Sequence, residues 1–321
     1  MNEVIPGLWI GDLRSALDTQ SLKANQIQSV LSAMRGVVRV HETFIRHQVA
    51  LDDVQDADVL AHFEACNQFI GAQLSKGRGV LVHCLAGISR SATVVAAYLM
   101  YSKKLSPTEA VDLIRLARPF VSPNPGFLNQ LEVYHEAGCV VSTDSTDVRR
   151  FYLDRTVVKM QDEQTTLEER TQLVDSLPSV PSSSATTTTI GVSTGGMPTR
   201  RRLIRCKMCR QELATKEHML GHGEVGFFPP TPGSPPADPT ETAISVPILI
   251  NPLCSGYFVE PLKWMNEFLK KGEVSGKILC PNKRCKAKLG NYDWAGVGCG
   301  CGQWATPAFC LNRSKVDEIV V

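Results

Sequence analysis

The sequence predicts an α/β domain followed by a small cysteine-rich, β-rich domain, and three observations support this fold class. Residues 1–142 alternate short apolar strands with amphipathic helices, which is the pattern of an α/β domain. A Ser/Thr/Gly/Pro-rich stretch over residues 176–199 cannot bury a core. Beyond it, eight of the eleven cysteines lie after residue 205, which indicates metal binding rather than disulfide formation.

Bulk composition limits the class of protein. A chain of 321 residues with 43% hydrophobic content is long enough for two domains. Its net charge of +2 does not by itself indicate a nucleic-acid-binding or membrane-surface protein. The N-terminal segment lacks a basic region and a long apolar run, and no stretch approaches the ~18 apolar residues of a spanning helix. We therefore expect no membrane partner and a reducing compartment, the nucleus or the cytoplasm.

The first half contains clear strand and helix patterns. Residues 79–84, GVLVHC, have the composition of a buried strand and lead through a Gly-containing turn into an apolar helix over residues 91–101. Residues 58–75 show apolar spacing at the helical period. Another helix is predicted from Ser106 as N-cap, with Pro107 at its first position. Helices are therefore expected on both sides of a strand-bearing core.

The most informative stretch is residues 83–91, HCLAGISRS. Backbone N–H groups of a tight loop that opens a helix converge on a phosphate dianion, and the helix dipole adds to the attraction. The same field stabilises a thiolate, so Cys84 should have a pKa in the range of about 3.5–7.5. Arg90 offers a planar fork that can hold two phosphoryl oxygens. Cys84 is therefore the predicted nucleophile, and the predicted phosphate-binding residues are Leu85, Ala86, Gly87, Ile88, Ser89 and Arg90.

This loop resembles the signature of the protein tyrosine and dual-specificity phosphatases: His-Cys, two variable residues, Gly, two variable residues, then Arg and Ser or Thr. Every fixed position is matched, by His83, Cys84, Gly87, Arg90 and Ser91. The resemblance implies the cysteine-phosphatase fold, a central sheet flanked by helices, and hydrolysis of phosphotyrosine and phosphoserine/threonine through a phosphocysteine intermediate. It also implies that Ser91 helps the thiolate to leave and that His83 tunes the thiol. This half carries no metal-binding motif, so catalysis is expected to need no cofactor.

Phosphate ester hydrolysis also needs a proton donor that later acts as a base. In the resembled family this donor is an Asp upstream of the cysteine, on a short loop ahead of a helix. Asp53 has the family register to Cys84, whereas Asp52 is one residue off and stays an alternative. Asp56 and Asp58 are expected to serve the first turn of the following helix. A solvated acidic loop without a catalytic role is the remaining alternative.

A second element of the family lies downstream of the loop. Residues 122–127, SPNPGF, match its Pro-Asn-x-Gly-Phe element, in which the Asn side chain braces the phosphate loop. Asn124 is therefore the predicted support residue. An ordinary Asn-Pro turn is the alternative.

The second half contains three cysteine pairs and two isolated cysteines, Cys254 and Cys310, of which Cys310 is given no role. The pairs have C-x2-C, C-x4-C and C-G-C spacing, which in a cytosolic protein is strong evidence for zinc sites. A histidine is needed to complete two sets of four ligands. With Cys206 and Cys209, His222 gives a C-x2-C-x12-H spacing. If His218 and His222 both joined these two cysteines, the four would form one complete site and Cys254 would be left without partners. The predicted ligands of two structural zinc ions are Cys206, Cys209, His222, Cys254, Cys280, Cys285, Cys299 and Cys301.

The pairing predicted for these ligands follows chain order. One site would contain Cys206 and Cys209 with His222 and Cys254. The other would contain Cys280, Cys285, Cys299 and Cys301. Interleaved pairing stays open, because spacing alone does not decide it.

The cysteine-rich half resembles the C-terminal zinc domain of the dual-specificity phosphatases that carry one. The matching segments are YFVEPLKWM at 257–265, CKAKLGNYDW at 285–294 and CGCGQWATPAF at 299–309. In that family the domain chelates two zinc ions and acts in assembly of the large ribosomal subunit. The resemblance therefore implies a pre-60S particle with rRNA as a partner, besides a phosphoprotein substrate. The C-x4-C spacing and a Pro-rich loop near 224–248, which we expect to be disordered, depart from the family pattern.

The boundaries predicted from composition are 1–142 for the phosphatase domain, 143–199 for a partly low-complexity linker, and 200–321 for the zinc-binding domain. Aromatic residues of the last domain are expected to fill its small core, with a partner-facing role as the alternative; these are Trp264, Trp294, Trp304 and Phe309. Two functions are compatible with this organisation. The chain is an active phosphatase with a docking domain, or it is mainly a ribosome-assembly factor whose catalysis is dispensable in cells.

Overall fold

The computed structural model describes residues 1–162, 165–169, 172, 202–221, 248–249 and 251–321. The chain forms two compact units, Met1–Val148 and Arg149–Val321. Residues 224–247 of the expected Pro-rich loop, and the low-complexity stretch 176–199, lie outside the described residues. Within the described ranges, no helix is both long and apolar enough to cross a bilayer.

The first unit is built on a five-stranded sheet with the order β1-β2-β5-β3-β4. Its strands are β1 Asn2–Ile5, β2 Leu8–Gly11, β3 Ile27–Ala33, β4 Ile45–Val49 and β5 Gly79–His83. β1 is antiparallel to β2, and the other neighbours are parallel. β5 is central and all its residues are buried, as its apolar, β-branched composition requires in a parallel sheet. The strand predicted at 79–84 is confirmed.

Helices surround this sheet. Their bounds are α1 Leu13–Leu17, α2 Thr19–Ala24, α3 Phe63–Leu74, α4 Arg90–Lys103, α5 Pro107–Ala117 and α6 Pro125–Glu136. α4 is apolar around most of its circumference, and its residues from Ser91 to Met100 are buried. α5 begins with the predicted cap, because the Ser106 hydroxyl accepts from the Glu109 N–H while Pro107 opens the helix. The predicted α/β fold class is therefore confirmed.

The second unit includes most of a helix that composition did not assign to it. Helix α7, Thr146–Gln161, places Leu153, Val157 and Met160 in the core of this unit. Arg149 Nε donates to Glu260 Oε2 at 2.9 Å, and the Gln161 side chain donates to the Trp294 carbonyl at 2.9 Å. The structure thus places residues 149–161 within the second unit, where the sequence predicted a linker. The apolar residues of α7 recur every three or four positions, so they lie on one face of the helix and pack into the core of the second unit. Composition alone does not show this periodic pattern.

The rest of the second unit is mostly β-structure. A three-stranded antiparallel sheet contains β6 Arg202–Cys206, β7 Glu212–Thr215 and β14 Val316–Val320. A four-stranded antiparallel sheet contains β8 Gly256–Phe258, β9 Ser275–Leu279, β10 Lys288–Asp293 and β13 Ala308–Asn312. The described part of this unit also contains a short helix, α8 Asn266–Leu269, and a hairpin, β11 Val297–Gly298 with β12 Trp304–Ala305.

Three aromatic rings form the centre of this second core. Tyr292 stacks on Phe309 with ring centroids 5.4 Å apart, and Trp294 meets Phe309 edge-on at 5.0 Å. Trp264 is partly buried and donates its indole N–H to the Leu213 carbonyl at 2.8 Å. Trp304 differs from the expectation, because it is 65% exposed.

Candidate active site and candidate metal centres

The candidate nucleophile lies at the end of the central strand. Cys84 directly follows β5 and is 1% exposed, and the loop after it leads into α4. Gly87 in this loop has a φ of 72°, and a Cβ there would lie 2.6 Å from the Gly11 carbonyl oxygen. Only glycine therefore lets the loop pass so close to β2, with its N–H groups turned toward the cysteine.

Hydrogen bonds around the Cys84 sulfur favour its ionised form. The Gly87 N–H donates to Sγ at 3.2 Å, and the Ser91 hydroxyl lies 3.3 Å from it. Burial opposes the negative charge, but bonds from the Ser91 hydroxyl and from the backbone N–H groups of Ser91, Gly87 and Ile88 outweigh it and lower the pKa of Cys84. The thiol is thus activated within the loop itself.

His83 has a defined tautomer behind the nucleophile. Its ring is fully buried, and Nδ1 lies 3.1 Å from the Cys84 carbonyl oxygen. A carbonyl only accepts, so Nδ1 carries the proton and Nε2 accepts from the Ser32 hydroxyl at 2.7 Å. Burial lowers the pKa of His83, which keeps the ring neutral at physiological pH. A neutral ring fixes the peptide of Cys84 without adding a positive charge.

The two candidate general acids have different surroundings. Asp53 Oδ1 accepts from the Ser89 hydroxyl at 2.7 Å and from the Asn124 side-chain amide at 2.9 Å. Asp52 instead pairs with Arg35 at 2.5 Å, and both of those side chains are about half exposed or more. Asp53 is therefore held against the phosphate loop, whereas Asp52 is engaged on the surface.

Asn124 contacts the site in a different way from the one expected. Its side chain braces Asp53, not the phosphate loop, and its backbone N–H donates to the Ser89 hydroxyl at 3.1 Å. Its Oδ1 accepts from the Phe127 N–H at 2.9 Å and caps α6. Asn124 thus links the loop, the carboxylate and a helix start.

Arg90 has an unused donor beside the loop. It is the first residue of α4, and its Nη1 donates to the Leu51 carbonyl at 3.1 Å. Its Nε–H is buried without a hydrogen-bond acceptor among the described residues, 3.6 Å from Asp53 Oδ2. A buried donor of this kind costs free energy unless an acceptor arrives. An oxyanion bound in the loop would be that acceptor.

Sequence reasoning missed one buried residue of the site. Arg118 is 5% exposed and donates through Nε to the Gly87 carbonyl at 2.8 Å and through Nη2 to the Ala86 carbonyl at 3.2 Å. Holding both carbonyls on one side leaves the N–H groups of the loop available to an anion. Nothing in the spacing of a single sequence connects Arg118 with a loop thirty-one residues earlier.

The first candidate metal centre combines two cysteine pairs that were predicted to be separate. The Sγ atoms of four cysteines lie within 4.8 Å of one another: Cys206, Cys209, Cys280 and Cys285. Two of the distances are 3.6 and 3.9 Å. Four thiolates on one tetrahedral zinc ion, with Zn–S near 2.3 Å, would be about 3.8 Å apart. The residues fit such an ion, and the pairing in chain order is wrong: the sites interleave.

The second candidate centre contains the remaining predicted cysteines, Cys254, Cys299 and Cys301, with their Sγ atoms within 4.8 Å of one another. The single-residue spacing of the last two has a steric cause. A Cβ on Gly300 would lie 2.4 Å from the Leu253 carbonyl oxygen, so only glycine allows the turn to approach the Cys254 segment. Three thiols leave room for a fourth ligand, and the predicted one, His222, lies outside the described residues.

His218 is part of neither cluster. Its ring is 5% exposed, and Nδ1 lies 2.9 Å from the Thr215 hydroxyl. Burial, with a contribution from Arg149, lowers the pKa of His218 to about 4. The alternative in which His218 and His222 complete a site with Cys206 and Cys209 is therefore wrong, because Cys280 and Cys285 are the other two members of that cluster.

Comparison with known proteins agrees with this architecture. Residues 8–137 match the family described as the dual specificity phosphatase, catalytic domain. Dual specificity protein phosphatase 12 of Mus musculus is 33% identical over 99% of this chain and 88% of its own. Tyrosine-protein phosphatase yvh1 of Schizosaccharomyces pombe is 31% identical over 99% of this chain and 85% of its own. The crystal structure of the Yvh1 phosphatase domain from Chaetomium thermophilum is 28% identical, covers 44% of this chain and 99% of that one, and gives a TM-score of 0.41.

These similarities extend over both units of the chain, because the full-length relatives align with nearly all of it. The phosphate loop, with its activated thiol and unused arginine donor, lies within the residues that the catalytic-domain family matches. The chain belongs to the family of dual specificity protein phosphatase 12 and YVH1, and it is a protein-tyrosine/dual-specificity phosphatase.

Proposed function

We propose that the chain hydrolyses phosphotyrosine and phosphoserine/threonine in proteins through a phosphocysteine intermediate on Cys84. The observation that carries this proposal is the buried Cys84 thiol, whose pKa is lowered by hydrogen bonds from its own loop. A nucleophile activated in this way needs no separate base. The unused Nε–H of Arg90 supplies an anion contact beside it.

The chemistry proceeds in two displacements at phosphorus. First, the Cys84 thiolate forms the S–P bond as the P–O bond to the substrate breaks, and Asp53 gives its proton to the leaving oxygen. Then water attacks the phosphocysteine and gives a proton to Asp53, and the S–P bond breaks to release phosphate and the thiolate. The Ser91 hydroxyl, 3.3 Å from Sγ, stabilises the departing thiolate.

The contacts of Asp53 indicate which oxygen carries the acidic proton. Ser89 and Asn124 both donate to Oδ1, so Oδ1 acts only as an acceptor. We therefore place the proton on Oδ2, the oxygen 3.6 Å from Arg90 Nε. In this arrangement Ser89 and Asn124 are positioning residues that fix the direction in which Asp53 donates.

Asp53→Asn should lower kcat/KM for phenyl phosphate, which reports the first displacement alone, by about 10²–10⁴-fold, the usual contribution of a general acid. The loss should be much smaller for p-nitrophenyl phosphate, whose leaving group needs little protonation. Asp52→Asn is the matched control, because it removes a neighbouring carboxylate that pairs with Arg35 instead, and it should stay near wild type. Steady-state kinetics with both esters measures the difference. The opposite ranking of the two variants would assign the acid to Asp52.

We also propose that each cysteine cluster holds one structural zinc ion. The ligands of the first would be the four cysteines that surround it, and those of the second Cys254, Cys299 and Cys301 with His222. Sulfur-rich donor sets with one histidine are typical of structural zinc. The ions would cross-link loops that lie far apart in the sequence, and their binding would add folding free energy to this unit.

A second function is favoured by the separate second unit. We propose that it docks the enzyme on a larger assembly, a pre-60S ribosomal particle with rRNA, in the nucleus and cytoplasm. Support comes from the family resemblance, from the core that the described residues of this unit form among themselves, and from Trp304, which is 65% exposed and pairs with Gly298 beside Cys299 of the second cluster. In the alternative form of this proposal, catalysis is dispensable in cells.

A cellular experiment separates docking from catalysis. In cells lacking the protein, full-length Cys84→Ser should restore growth and sediment with pre-60S particles, whereas residues 1–145 should do neither. The truncation removes all of α7 together with the second unit, and its hydrolysis of p-nitrophenyl phosphate serves as the check that it folds. Rescue by the truncation together with failure of Cys84→Ser would refute the docking role.

A further inference from the structure

Basic residues are concentrated on the two loops that hold the first cysteine cluster and on the strands that flank these loops. Residues 202–210 and 274–292 together contain nine Lys and Arg and no Asp or Glu. The whole chain is nearly balanced, with 34 basic and 32 acidic residues. The overall charge therefore hides a strong local excess of positive charge.

The cysteine cluster brings these two loops together. Since the Sγ atoms of both pairs lie within 4.8 Å, the loop tips surround a single point. The Lys207 N–H donates to the Lys315 carbonyl at 3.1 Å, which adds a third segment. We call this surface the knuckle face; its exposed residues are Lys207, Met208, Lys283, Arg284, Lys286 and Lys315.

The backbone under the knuckle face is fixed. In each loop the residue after the second cysteine has a positive φ, 65° at Arg210 and 45° at Lys286. The Arg210 N–H donates to the Cys206 carbonyl at 2.9 Å, and the Cys285 N–H donates to the Asn282 carbonyl at 2.9 Å. The cationic side chains thus extend from rigid turns, so less conformational entropy is lost when they bind.

Little in the described parts of the chain neutralises this charge. Arg202 pairs with Glu318 and Arg210 pairs with Asp317, but among the described residues no salt bridge holds the basic side chains of the knuckle face itself. Four thiolates and a divalent ion would carry two negative charges between them, which offsets two more of the nine positive charges and leaves five. The surface therefore attracts polyanions.

We propose that the knuckle face binds the phosphate backbone of RNA, an inference that rests on the proposed docking to an rRNA-containing particle. Lysine supplies four of the five cations of the face, and lysine is depleted from protein–protein interfaces. Phosphate oxygens, in contrast, are regular partners of lysine and arginine. The six residues of the face include no aromatic side chain for base stacking, so binding is to the backbone and independent of sequence.

The test uses the full-length protein and a fluorescein-labelled, mixed-sequence single-stranded RNA of twenty nucleotides, with fluorescence anisotropy over a range of salt concentrations. The variant is Lys283→Gln/Arg284→Gln/Lys286→Gln. Each lost phosphate contact makes the negative slope of log K, the association constant, against log salt shallower by about 0.7. For three lost contacts the slope should become shallower by about 2, and the affinity at low salt should fall by about tenfold or more. Unchanged metal content and unchanged hydrolysis of p-nitrophenyl phosphate show that the variant is folded.

A matched control removes three basic residues from the same unit, Lys263→Gln/Lys270→Gln/Lys271→Gln, where Glu267 and Glu273 lie close in sequence. It should keep the wild-type slope. An equal loss in both variants, or no binding of the RNA, would overturn the proposal even if the chain sediments with pre-60S particles. Competition by polyglutamate as strong as by unlabelled RNA would also overturn it, in favour of an acidic protein partner.

Discussion

Cys84→Ser should lower kcat for p-nitrophenyl phosphate by about four orders of magnitude or more, since a serine hydroxyl is not ionised by hydrogen bonds that suffice for a thiol. The loop itself should keep its shape, because Ser is close in size to Cys and Gly87 sets the turn. Binding of orthovanadate, measured by competition, should therefore persist. Steady-state kinetics together with thermal unfolding separates lost chemistry from lost structure.

The ionisation state of Cys84 gives an independent check of the same prediction. Its pKa is lowered, so the thiolate is already present at a pH where an ordinary thiol is protonated. Inactivation by iodoacetamide should rise with pH through a midpoint below that of an unperturbed cysteine. Replacing Ser91 with alanine removes the largest of the hydrogen-bond contributions, and it should raise this midpoint and let the phosphoenzyme accumulate. Activity that Cys84→Ser retains but EDTA abolishes would contradict the cysteine mechanism.

Physical reasons explain which residues of the site could be predicted from the sequence and which could not. The loop at 83–91 could be predicted because its chemistry is local: nucleophile, glycine turn and arginine lie within nine residues. Arg118 could not, because its contact with Gly87 exists only after α5 packs beside the loop. Asn124 was found by its motif, but its side chain reaches Asp53 rather than the loop. A motif identifies the residue, and the tertiary structure selects its partner.

The cysteines and α7 show the same limit. Spacing identified seven of the described thiols as ligands, yet chain order gave the wrong pairing, since β6 and the turn after β9 meet only in the folded unit. Helix α7 was predicted as linker because its sequence is highly charged. Its buried stripe of Leu153, Val157 and Met160 is short, and the core that it joins is built from residues more than forty positions later.

Removal of metal should have the second large effect, on the second unit alone. We expect two zinc ions per chain, and chelation should unfold this unit, because metal binding supplies roughly 10 kcal/mol or more of folding free energy in small sites. The first unit has its own core and sheet and should keep its activity. Metal analysis, near-UV circular dichroism and p-nitrophenyl phosphate hydrolysis, each before and after chelation, measure the three effects.

A pair of single substitutions separates the metal from the cysteine itself. Cys280→Ser removes one ligand of the first cluster, so the chain should lose one zinc ion and the cooperative unfolding of the second unit should weaken or disappear. Cys310→Ser is the matched control, because this partly buried thiol lies in the same unit but in neither cluster, and it should keep both ions. A wild-type chain with a single zinc ion, or a second unit that still unfolds cooperatively after chelation, would refute the structural role of the two sites.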